Sequence, residues 1–65
     1  MSNEEQDRLV VVGILEERPA LCRRKLIEAT RLTELRLDVA LSSLCRAGQV
    51  LRMGRAYYLA GRAAR

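Results

Sequence analysis

The feature that most limits this chain is the change of apolar spacing at Gly48. Before it, Leu37, Ala40, Leu41 and Leu44 recur at i, i+3, i+4 and i+7, the spacing of one helical face. After it, Gln49–Met53 and Ala56–Ala60 form two short runs around Gly54-Arg55. A two-residue connection with glycine first suits a type II′ hairpin turn. Gly48 itself stands where a helix end favours a left-handed residue. The spacing therefore predicts a helix from Glu34 to about Ala47, followed by a hairpin over about 49–60. Thr33 is the expected N-cap, because its hydroxyl can accept from a free backbone N–H of the first turn.

Upstream, the same reading predicts a helix from about Asn3 to Arg18. Ser2 and Glu5 have capping-box spacing, and acids in a first turn suit the helix dipole. Val11, Ile14 and Leu15 share a face with Arg18, and Pro19 ends the helix because the residue before proline avoids the α region. Leu9, Val10 and Val12 widen the apolar stripe beyond one face. A helix apolar on more than one side packs on more than one side, so these three are candidates for a homodimer interface. A thick core filled by the β-branched run is the other reading. A second helix is expected over about Arg23–Thr30, with Leu26, Ile27 and Thr30 at helical spacing. A break at Arg31-Leu32 follows, and the tail from Gly61 is expected to fray. The fold class is mainly α with a small β-hairpin.

At 65 residues the chain is read as a single domain spanning 1–65. Its only aromatics are Tyr57 and Tyr58, so the core must come from 11 Leu, 5 Val and 2 Ile. With no histidine, imidazole bases and ligands are excluded. Two cysteines without histidine do not make a structural zinc site. The four glycines are scattered singly, so no phosphate-binding loop is present. No catalytic residue, metal site or cofactor is expected. The longest apolar run, residues 9–15, is far shorter than the roughly 20 residues of a membrane span. The acidic N-terminus is unlike a signal peptide. A cytoplasmic, non-enzymatic protein is the expectation, and the Met start and tail read as those of a whole chain.

Charge is segregated along the sequence. Residues 1–17 hold five acids against Arg8, a net of −4, and residues 18–65 hold eleven bases against three acids, a net of +8. From Arg46 to Arg65 there are five arginines and no acid. A basic half of this kind is the electrostatic footprint of a polyanion partner, although a solvated surface that aids solubility has the same composition.

Arg23–Thr33 resembles the second helix and turn of bacterial winged helix-turn-helix regulators. Leu37, Ala40, Leu41, Leu44, Gly48 and Val50 resemble the recognition helix and its exit, and Arg52–Leu59 resembles a wing that ends in an aromatic strand. The resemblance covers about residues 9–60 and is to a very large superfamily, so it bears on fold more than on function. It implies a third helix in the major groove of double-stranded DNA and a wing on the adjacent backbone. By position it places Thr33, Leu35, Arg36, Val39, Ser42, Ser43 and Arg46 toward the groove. Of these, Arg36 is best suited to bond guanine O6 and N7 together. Thr33 and the helix N-terminus suit a phosphate. Arg23, Arg24 and Lys25 from the second helix, with Arg52 and Arg55 from the wing, are expected on phosphates, where they position rather than specify.

Three features depart from the pattern. Glu34 and Asp38 cancel Arg36 and Arg46 on the third helix. Leu35 and Val39, four apart on the outward face, suit either thymine methyl groups or a protein-binding stripe. Arg31 occupies a turn position usually held by glycine, so strain is expected there. Cys22, before three bases and near a helix start, has features that activate a thiolate. The simpler reading is that it replaces a Ser or Thr cap and that Cys45 is a small hydrophobe. The sequence thus points to a sequence-specific DNA-binding transcriptional regulator, expected as a homodimer. Its size suits the small regulators of phages and mobile elements. The alternative is a winged-helix module that binds a protein partner through the first helix or the Leu35/Val39 face.

Overall fold

Helix α1 spans Asn3–Glu17 in the computed structural model, which describes residues 3–63. It stops two residues before Pro19, and the N–H of Arg18 closes the last turn by donating to the Ile14 carbonyl at 3.1 Å. The Ser2 half of the expected capping box lies outside the described residues. Strand β1 (Leu21–Cys22) leads directly into α2 (Arg23–Thr30), and α3 spans Glu34–Arg46. Strands β2 (Val50–Met53) and β3 (Ala56–Leu59) make the hairpin, and a short α4 covers Ala60–Ala63.

Local chemistry sets each helix end. Arg31 adopts the left-handed conformation (φ 62°, ψ 21°), and its N–H donates to the Ile27 carbonyl at 2.8 Å. This single bond ends α2 in the αL manner. Thr30 Oγ1 donates to the Leu26 carbonyl and accepts from the N–H of Leu32, which fixes the chain between α2 and α3. Thr33 caps α3 as expected, its hydroxyl oxygen accepting from the Arg36 N–H at 3.2 Å. At the other end of α3, Gly48 has φ 77°. The N–H of Gln49 donates to the Leu44 carbonyl and that of Gly48 to the Cys45 carbonyl, the paired bonds of a Schellman motif.

The sheet has one strand more than the spacing shows. Its order is β1-β3-β2, antiparallel throughout, with Leu21 opposite Tyr57 and Cys22 opposite Ala56 on one side of β3. On the other side Val50 faces Leu59 and Arg52 faces Tyr57. A two-residue strand has no period to read, and its partner lies more than thirty residues away. Gly54 has positive φ and Arg55 does not, the sign pattern expected for the hairpin. The Ala60 N–H donates to the Gln49 carbonyl at 3.0 Å, which ties the end of the hairpin, and the backbone then turns into α4; the last two residues of the tail lie outside the described residues.

The core is aliphatic. Val11, Leu15, Leu26, Leu37, Ala40, Leu41, Leu44 and Val50 are buried as one cluster. Val12, Ile14, Leu21, Ile27, Leu32, Tyr57 and Leu59 pack around it. Three main helices and a small antiparallel sheet in this order are a winged-helix arrangement.

Candidate nucleic-acid interface

A helix of about 3.6 residues per turn brings every third or fourth side chain to one side. On α3 the buried set leaves Leu35, Val39, Ser42 and Arg46 as the outward stripe, and all four are exposed. Leu35 is 73% exposed and Val39 39%, so this apolar pair does face outward as the sequence register requires. Ser43 lies nearer α1 and is half-buried. Glu4 of α1 joins Val39, Ser42, Ser43 and Arg46 around a shallow concavity along this stripe.

An ion pair clamps each flank of the stripe. Toward α1, Arg36 donates from Nε to Asp7 Oδ2 at 3.0 Å and from Nη2 to Asp7 Oδ1 at 2.7 Å. Toward α2, Arg23 Nη2 donates to Asp38 Oδ2 at 2.6 Å. Arg36 and Arg23, both expected to be free for DNA, are thus each bonded to a carboxylate in the folded chain. Sequence reasoning missed both partners. Asp7 offered one signal: it stands at i−4 from Val11 and i−8 from Leu15, in the buried stripe of α1. A charge at such a slot needs a partner. The Arg23–Asp38 pair offered none, because α2 and α3 must first be packed to bring the residues together.

The remaining bases are distributed around α3. Arg52 is exposed, and with Ser42, Cys45, Asp38 and Tyr57 it lines a concavity between the wing and α3. Arg24 lies beside Glu34 between α2 and the start of α3. Lys25 is exposed in the first turn of α2, and Arg55 is exposed at the hairpin tip. Among the described residues Arg24, Lys25, Arg46, Arg52 and Arg55 have no ion-pair partner. Thr33 is exposed, and its oxygen serves as the α3 cap. Asp38 and Ser42 line both the concavity that holds Arg46 and the one that holds Arg52, so these two adjoin along α3; Arg24 lines a separate concavity, and Lys25 and Arg55 line none of the three.

The proposed dimer residues separate. Leu9 (66% exposed) and Val10 (38%) stand on the outer side of α1, whereas Val12 is half-buried against the core. Val12 therefore belongs in part to the thick-core reading of the β-branched run. Cys22 precedes α2 in extended conformation and makes no side-chain cap bond. It occupies the N-cap position of α2, as expected of a Ser or Thr replacement, and also pairs with Ala56 as a strand residue. Both cysteines are free, and Cys45 is exposed. Among the described residues no helix is long and apolar enough to cross a membrane.

No protein-family model matches the chain, and no curated protein matches it significantly. Among solved structures, the solution structure of a DNA binding protein from Sulfolobus islandicus is similar, with a TM-score of 0.75 at 24% identity. The match covers 82% of this chain and 90% of that one. At this identity the likeness is one of fold.

Proposed function

We propose that this chain is a sequence-specific DNA-binding transcriptional regulator and not an enzyme. Helix α3 enters the major groove, Arg52 and Arg55 of the wing grip the backbone, and Arg24 and Lys25 contact phosphates beside α3. The observation that carries this reading is the surface around α3. An outward stripe of small and apolar side chains is edged by Arg46 and Arg52, which form no ion pair among the described residues, although Glu4 and Asp38 line the same concavities. Unpaired bases beside a protruding helix supply the sequence-independent part of DNA affinity, and the helix supplies the readout. The fold likeness to a protein described as DNA binding points the same way. We further propose a homodimer through Leu9 and Val10, with a second copy as the occupant of that face.

Fluorescence anisotropy with a mixed-sequence duplex across a salt series tests the reading. Affinity is expected to fall steeply with salt, and the log–log slope is expected to be shallower by about two in the Arg52→Ala/Arg55→Ala variant. Absence of binding even at low salt would remove the DNA reading. The exposed Leu35 and Val39 would then favour a protein partner on the same face.

A further inference from the structure

Asp7 is the one charged residue that the described part of the chain buries, at 5% exposure. Its carboxylate takes Arg36 side-on, through Nε and Nη2. A guanidinium has five N–H donors, and these bonds use two of them. Both donors of Nη1 and the second donor of Nη2 remain. One from each nitrogen point together along the end of the group, and that end-on fork is the pair that matches guanine O6 and N7. The Arg36 side chain is 49% exposed while that of Asp7 is 7% exposed, so the anchor is hidden while the arginine that it holds is half open to solvent.

We propose that Asp7 is a positioning residue for base recognition: it holds Arg36 side-on from within α1, so that the end-on fork of Arg36 meets a guanine in the major groove. This rests on the DNA-binding reading above. Two physical arguments favour a base over a phosphate. The carboxylate cancels most of the charge that Arg36 would offer a phosphate, but leaves its donors directional toward neutral acceptors. A long side chain normally loses rotamer freedom on binding, and here that freedom is already lost in the free protein. The Arg23–Asp38 pair differs, with one bond and both side chains nearly half exposed, so no buried anchor fixes that arginine.

The test is selection from duplexes with a randomised centre, using the wild type, Asp7→Asn, Arg36→Lys and the double variant, each checked for folding by circular dichroism. The wild type is expected to enrich a guanine at one position of its site, with discrimination of roughly 5- to 150-fold against other bases. Asp7→Asn is expected to lose at least about fivefold of that discrimination while preferences at other positions persist. In the Arg36→Lys background, Asp7→Asn is expected to change nothing further. A second measurement needs no variant: the Arg36 Nε–H of the wild type should stay protected from solvent exchange on adding the selected duplex, because its bond to Asp7 is retained. The inference is overturned if no guanine is selected, if Asp7→Asn selects it as sharply, or if preferences at all positions weaken alike, as a purely structural role would give. It is also overturned if Arg36→Lys leaves every preference intact, or if the Nε–H loses that protection on binding. A wild type that binds no duplex at low salt fails at the earlier step and removes the DNA reading itself.

Discussion

Arg23 in the first turn of α2 donates to Asp38 on α3 at 2.6 Å, on the flank opposite the Asp7–Arg36 pair. Helix α3 thus receives a base on one side and offers one on the other. It is held between α1 and α2 by ion pairs of opposite polarity.

Asp38 pairs with Arg23 and also borders the concavity that Arg52 lines. Asp38→Asn removes a carboxylate from the surface proposed to meet DNA and releases Arg23. Affinity for a mixed-sequence duplex is expected to rise several-fold at low salt, and the salt slope to steepen by about one. A salt titration by anisotropy reads both.

Leu35 and Leu37 are two residues apart with opposite environments, 73% exposed and fully buried. Leu37→Ala is expected to cost about 2–5 kcal/mol, which is most of the stability of so small a domain. Leu35→Ala is expected to stay within about 0.5 kcal/mol. Urea unfolding separates them, and equal effects would mean a rotated α3.

Thr33→Ala removes the cap on the Arg36 N–H and is expected to lower stability by about 1 kcal/mol. In a domain of this size that is a fall of about 4–8 °C in the thermal midpoint. Thr33→Ser should recover most of the loss.

Arg31 holds a left-handed backbone without being glycine. A β-branched side chain tolerates that conformation worst, so Arg31→Val is expected to destabilise by about 1–2 kcal/mol. Arg31→Gly relieves the strain but loosens the unfolded chain, and its net effect is expected within about 0.5 kcal/mol of zero. Thermal melts of the two variants give the comparison.

Leu9 and Val10 leave an apolar face on α1 that this chain alone does not cover. Sedimentation equilibrium is expected to give twice the 7.4 kDa monomer mass for the wild type, and the monomer mass for Leu9→Glu/Val10→Glu. A monomeric wild type at tens of micromolar would end the dimer proposal.

Much of the fold was legible because it depends on neighbours in sequence. The α3 face, its Thr33 cap, the Gly48 turn and the hairpin at Gly54 all follow from spacing or from one residue's backbone preference, whereas the positive φ at Arg31 was expected only from the resemblance. The outward placement of Leu35 and Val39 follows from the same period. The rest depends on packing. Strand β1 exists because β3 arrives beside Leu21 and Cys22, and two residues carry no pattern of their own. The division between Val12, drawn against the core, and Leu9 and Val10, left outside, was decided by where α2 and α3 lie against α1. The sequence showed how many arginines lie near α3 along the chain. Tertiary structure decided which of them meet a carboxylate, because Asp7 is 29 residues from Arg36 and only the α1–α3 contact brings their charges within bonding distance.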